Sequence, residues 1–206
     1  MSDIGVDVAM ATDASSSTGS AHGRFQVLHN DHLRYLLAAK ERCDHLIIGV
    51  TQVTAGEPVE TSERHRSLRS SNPLTYFERA VMIVQGLSQA GVDDKEFEVV
   101  PFPIEAPALL TQYLPLAVTI YTTEYDDWNR HKITTLANIG YDVVVLWKSE
   151  HKLISGSSIR ASLSAGTDEW RRLVPRSTAD LLVQWDIASR IRSLEDCRTP
   201  HREANT

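Results

Sequence analysis

Gly23-Arg24-Phe25-Gln26-Val27-Leu28-His29-Asn30-Asp31-His32 is the stretch around which this chain is organised. It carries two histidines three residues apart and runs directly into residues 33–43. There Leu33, Leu36 and Leu37 fall on one helical face, with Lys40 and Glu41 towards solvent. Residues 44–52 follow, and their apolar centre, Leu46-Ile47-Ile48-Gly49-Val50, predicts a buried strand. The histidines therefore stand where a loop becomes a helix. Backbone N–H groups without partners point outward at such a place, which suits an anion. Gly23 permits a tight turn or close approach by a ligand, and the fork of donors on Arg24 could clamp a phosphate. A histidine pair taken alone is more often a packing or surface feature than a catalytic one. Zinc is disfavoured, because Cys43 and Cys197 are isolated and no ligand cluster with metal spacing accompanies them.

The rest of the chain alternates strand and helix. The first strand is expected over residues 18–24, although they are small and polar and Ser15-Ser16-Ser17 before them is linker-like; a strand over residues 6–11 followed by an insertion is the alternative. Residues 1–17 are expected to be a disordered tail, 18–195 the one domain, and 196–206 a frayed end. Residues 54–71 are polar and read as a mobile loop, either solvated or closing its basic half over phosphate. Thr75 with Glu78 predicts a capping box opening a helix to about Ala90, with Phe77, Val81, Val84 and Leu87 inward. Strands are expected at 97–102, 116–122 and 141–147, and helices at 126–138, 158–164 and 168–174. A last helix over 178–194 would turn Leu182, Val183, Ile187, Ile191 and Leu194 inward. The pattern predicts an α/β fold, a parallel sheet with helices on both faces, whose ligands bind beyond the carboxyl ends of the strands.

Composition narrows the function classes. The chain has 206 residues, 42% of them hydrophobic, enough for one substantial core. The formal charge of -6 and the lack of a basic stripe argue against nucleic acid as a partner. No segment is long and apolar enough to span a bilayer, and the start lacks the basic-then-apolar layout of a signal peptide. Two cysteines with no evident pairing suit a reducing interior, so a cytoplasmic location is expected.

Gly-Arg-Phe-Gln-x-x-His-x-x-His resembles the signature of the HxGH-type nucleotidyltransferases, and within them the archaeal-type nicotinamide mononucleotide adenylyltransferases. Ile154-Ser155-Gly156-Ser157-Ser158-Ile159-Arg160 is similar to their second signature. Asn72-Pro73-Leu74-Thr75 with Glu78-Arg79, and Trp170-Arg171-Arg172-Leu173-Val174-Pro175, match further segments in family order. The resemblance covers residues 22–195 and implies a Rossmann-like fold. It also implies transfer of a nucleoside monophosphate from a nucleoside triphosphate, ATP first and CTP second, to the phosphate of a small acceptor, with release of pyrophosphate. On that resemblance His29, His32 and Arg160 are the catalytic candidates, gripping triphosphate and stabilising charge at the reacting phosphorus. Gly23, Arg24, Phe25, Gln26, Ser155 and Ser157 are the nucleotide-binding candidates, with a capping role preferred for Ser158. Magnesium is expected on the substrate phosphates rather than on a protein cage. A homo-oligomer is expected from the resemblance alone. Nicotinamide mononucleotide adenylylation is the first named expectation; transfer to another phosphorylated or phosphonate metabolite, or a catalytically weak nucleotide-binding protein, are the alternatives.

The departures from the family fall mainly on the acceptor side. Asp31 replaces the glycine between the histidines, and a helix-capping role is expected for it. The asparagine and tryptophan that hold nicotinamide in the family have no counterpart in residues 105–113, where Tyr113 could stack instead. Thr122-Thr123-Glu124, followed by Tyr125 and Trp128, replaces the family's Ser-Gly-Asn. Tyr113, Glu124 and Trp128 are therefore the acceptor-binding candidates.

Overall fold

A computed structural model describes residues 17–52, 69–148 and 154–196. Strands β1 (Thr18–Gly23), β2 (His45–Val50), β3 (Phe97–Pro101), β4 (Thr119–Glu124) and β5 (Val143–Lys148) form one sheet in the order β3-β2-β1-β4-β5. Every pairing is parallel. Pro101 is tolerated because β3 is an edge strand, where a missing N–H breaks no interior ladder. Helices α1 (Asn30–Lys40), α2 (Tyr76–Gln89), α4 (Gly156–Ser164), α5 (Arg176–Gln184) and α6 (Ile187–Asp196) contribute to one core cluster. Helix α3 (Asp127–Ile139) contributes Leu136 to a second, which also holds Ile47, Phe102, Ile120 and Tyr141. The result is a Rossmann-like parallel sheet covered on both faces, as the sequence predicts.

The weak first strand does form, and tertiary packing explains its composition. β1 lies between β2 and β4 with both faces covered. A methyl group on Gly19 would stand 2.6 Å from the Tyr121 ring and 2.8 Å from the Cys43 sulfur. Only small side chains fit there, so low strand propensity is the consequence of close packing.

Three helix expectations need correction. Phe77 is 72% exposed and Val84 36% exposed; α2 instead buries Arg79, Met82, Ile83, Gly86 and Leu87, a stripe rotated from the apolar one. The cause is Arg79, whose burial with its guanidinium on backbone carbonyls fixes which face looks inward. The single last helix is two: Trp185 and Asp186 interrupt it, with Asp186 at φ 47°, and the break resets the helical phase, so that Val183 is exposed and Leu194 only partly covered. The segment at 168–174 is a 3-10 turn over Glu169–Leu173 rather than an α-helix. The capping box at Thr75 and Glu78 is present. The expected tails, apart from Ser17 and Asp196, and all but the last residues of the expected 54–71 loop lie outside the described residues.

The sheet opens at the carboxyl end of β1. Pairing of β1 with β4 runs through Ala21 and Tyr121 and then stops. At that point the Tyr35 hydroxyl, from α1, accepts from the His22 backbone N–H at 3.1 Å and donates to the Tyr121 carbonyl at 2.7 Å. It takes up the pairing groups of both strands as they separate, and burial raises its pKa well above the ordinary tyrosine value. Tyr35→Phe leaves a buried N–H and a buried C=O unpaired, a cost of about 2 kcal/mol. Chemical denaturation of the variant should show that loss, and an unchanged midpoint would contradict the bridging role.

Candidate active site

The opening between β1 and β4 is a cavity of about 340 Å³. Its walls hold the first motif, the start of α4 and residues from β4 and α3. His29 is 5% exposed and is the N-cap of α1: its Nδ1 accepts from the His32 backbone N–H at 3.3 Å. An accepting Nδ1 requires the proton on Nε2, so the second nitrogen is a donor. The rings of His29 and His32 stack with centroids 3.6 Å apart. The Phe25 ring, fully buried, meets His32 edge-on at 5.0 Å. Phe25 adopts φ 50°, a conformation that non-glycine residues accept only where the surroundings impose it.

The second motif is brought against the first by three contacts. The Asp31 carboxylate accepts the Ile154 backbone N–H at 2.9 Å. The Arg160 guanidinium donates to the Gln26 carbonyl and to Ser157 Oγ. A methyl group on Gly156 would stand 2.5 Å from the Gln26 carbonyl oxygen, so only glycine lets α4 start this close. The expected capping role of Asp31 is thus corrected. His29 caps α1, and Asp31, inside the first turn, ties the two motifs together. Ser155 caps α4 by accepting from the Ser158 N–H at 3.1 Å, and the Ser158 hydroxyl returns to the Ser155 carbonyl. Two helix N-termini therefore face one cavity, an arrangement whose backbone N–H groups suit an anion.

Other groups hold this loop from behind. The Gln26 amide clasps the backbone of Leu74 with two hydrogen bonds, 2.8 and 3.0 Å, which assigns this side chain to positioning. Arg79 is 1% exposed and donates to the carbonyls of Arg24, Thr51 and Gln52. Burial pushes its pKa down to about 10, which leaves it charged at neutral pH. Asn30 donates to the Arg172 carbonyl at 3.0 Å, tying the start of α1 to the Trp170 segment. Neither Asn30 nor Arg79 nor Tyr35 stood among the sequence candidates. The available sign for Arg79 was its place beside Glu78 in the third segment that matches the family.

The structure brings His29, His32, Arg160, Gly23, Arg24, Phe25, Gln26, Ser155 and Ser157 to the cavity wall. It divides the acceptor candidates. Trp128 lines the cavity. Tyr113, 41% exposed, ends a 3-10 turn outside the wall, and Glu124 is paired with Lys148 at 2.9 Å and Arg130 at 3.5 Å, also outside it. His22, Thr122, Asn129 and Lys132 take that side of the cavity instead. The described residues contain no group of three or more side chains fit to hold a metal ion.

Known proteins similar to this chain are nucleotidyltransferases by sequence. The chain is 37% identical over 185 residues to a phosphonoformate cytidylyltransferase of Streptomyces viridochromogenes, covering 89% of this chain and 100% of that one. It is 27% identical over 173 residues to a nicotinamide-nucleotide adenylyltransferase of Thermococcus kodakarensis, covering 84% of this chain and 85% of that one. Among solved structures, a bifunctional NMN adenylyltransferase/ADP ribose pyrophosphatase of Francisella tularensis, complexed with AMP and a manganese ion, superposes with a TM-score of 0.63 at 14% identity. The match covers 89% of this chain and 54% of that one, so this chain spans about half its length. No family model matches the chain.

The contact between Asp31 and Ile154 makes a prediction opposite to the family pattern. Asp31→Asn keeps an oxygen acceptor and should retain most binding of nucleoside triphosphate. Asp31→Gly, which restores the family's residue, should weaken it by roughly 10-fold, because misplacing one of two converging helix ends loosens the grip. Calorimetric titration of the variants with nucleotide checks this; tighter binding by the glycine variant would contradict it.

Proposed function

Because the chain belongs to the HxGH-type nucleotidyltransferases, which transfer a nucleoside monophosphate from an NTP to a phosphate acceptor, we propose that its reaction is cytidylyl transfer from CTP to a small phosphonate. The observation that carries this reading is the 37% identity to the phosphonoformate enzyme over that protein's full length. The acceptor side supports it. Residues 105–113 lack the family's asparagine and tryptophan, and Tyr113 lies outside the cavity, so the nicotinamide ring that a larger acceptor carries has no aromatic seat there. The first expectation from the sequence, adenylyl transfer to nicotinamide mononucleotide, rests on relatives such as the one at 27% identity and would need Trp128 to supply that seat.

In the proposed step a phosphonate oxygen attacks the α-phosphorus of CTP. The new P–O bond joins the phosphonate to cytidine monophosphate, the bond from the α-phosphorus to the bridging oxygen breaks, and pyrophosphate leaves with the electron pair. The attacking oxygen is already deprotonated, so no general base is required. His29 donates from Nε2, and His32, Arg160 and the two helix N-termini offset charge on the triphosphate and leaving pyrophosphate. Arg160 is suited to this because its burial in a water-poor wall strengthens its field. A divalent cation bound to the triphosphate supplies further charge neutralisation there.

Initial rates of pyrophosphate release test the reading with CTP and ATP, each against phosphonoformate and nicotinamide mononucleotide, with magnesium present. CTP with phosphonoformate should be the fastest pair by about 100-fold or more in kcat/KM, a margin that paired polar recognition can supply. Fastest release from ATP with nicotinamide mononucleotide would overturn the proposal.

A further inference from the structure

We infer that His22 and Lys132 form a subsite for a second oxyanion on the acceptor, so that the protein selects compact acceptors with a phosphonate or phosphate at one end and a carboxylate-like group at the other. The inference rests on the transfer reaction proposed above and extends it to residues outside the two motifs. His22 ends the buried run of β1 and faces the same side of the sheet as α3, opposite the histidine pair. It is 3% exposed, and neither of its ring nitrogens has a hydrogen-bond partner among the described residues. Buried polar atoms are satisfied in native proteins with few exceptions, and an exception in a cavity wall marks where a ligand completes the pairing.

The ring is held for that purpose. It stacks on Phe102 with centroids 4.4 Å apart and planes 2° apart, and Phe102 has room because it lies against Gly49, the β2 neighbour of His22. The backbone N–H of His22 is fixed by the Tyr35 hydroxyl. Burial, and then the charge of Lys132, hold its pKa well below the ordinary value near 6.5, so the ring is neutral and offers one donor and one lone pair. Lys132 lies on α3 four residues before Leu136, which packs under the sheet, and it lines the same side of the cavity with Thr122 and Asn129. A neutral donor beside an ammonium is an arrangement for an oxyanion: the lysine supplies the charge and the imidazole fixes direction.

The cavity therefore has two ends with different chemistry. Histidines, helix N-termini and Arg160 serve the triphosphate on one side of the strand opening. His22 and Lys132 serve the acceptor's far end on the other. An acceptor lacking the second anion leaves the buried His22 ring unpaired, which is how a polar site discriminates strongly.

The test measures KM for phosphonoformate and for methylphosphonate, which lacks the carboxylate, in the wild type, His22→Leu and Lys132→Met, with the Kd for CTP alongside. The wild type should favour phosphonoformate by about 10-fold or more. Each substitution should raise the phosphonoformate KM by about 10-fold or more, collapse the preference, and leave the CTP Kd within about 2-fold. Lys132 is only partly buried, so Lys132→Met decides the matter if His22→Leu fails to fold. Wild type active with phosphonoformate but indifferent to the substitutions overturns the subsite alone. Equal use of the two phosphonates also overturns it. Silence with both phosphonates overturns the transfer reading, and the subsite with it.

Discussion

The contact on which the rest depends is the seam between two motifs far apart in sequence. The Asp31 carboxylate receives the N–H of Ile154, 123 residues away, and Arg160 reaches the carbonyl of Gln26. Each motif alone is a loop leading into a helix, an ordinary arrangement. Joined, they aim two helix N-termini and two stacked imidazoles at one volume. A carboxylate beside a triphosphate would repel it; committed to a backbone N–H of the opposing motif, the same carboxylate becomes part of the frame. The space for the seam is set by Gly156, whose missing side chain is what lets the helix start touch the first loop.

The sheet determines why the seam opens onto a cavity. β1 sends its chain to β2 on one side, and β4 pairs with β5 on the other, so the strands part at their carboxyl ends. The Tyr35 hydroxyl occupies the fork and keeps both backbones paired up to the point of separation. Arg79, buried and charged, fastens the loops after β1 and β2 from beneath. These groups touch no substrate in the proposed reaction, yet they determine where the groups that do so stand.

Much of this was legible in the sequence, for identifiable reasons. The parallel sheet followed from apolar runs such as Leu46-Ile47-Ile48-Gly49-Val50 alternating with amphipathic segments, and the two motifs that line the cavity were picked out by their resemblance to the family's signatures. What stayed hidden depends on tertiary neighbours. The inward face of α2 was misread because Arg79, a residue that periodicity counts as polar, is buried while Phe77 is not. Asp31 was assigned to its own helix because its partner, the N–H of Ile154, is a backbone group that no side-chain pattern announces. Of the acceptor candidates, Glu124 found cations closer at hand in Lys148 and Arg130. His22 was passed over inside a strand of small residues, and only the fold sets it in a cavity wall.

The measurement that tests the account most directly is phosphorus NMR of a reaction containing CTP, phosphonoformate and magnesium. The account predicts free pyrophosphate together with two mutually coupled resonances, one phosphonate and one phosphate, from the new anhydride. Cytidine monophosphate and pyrophosphate without that coupled pair would mean that water is the acceptor, and would contradict transfer to a phosphonate.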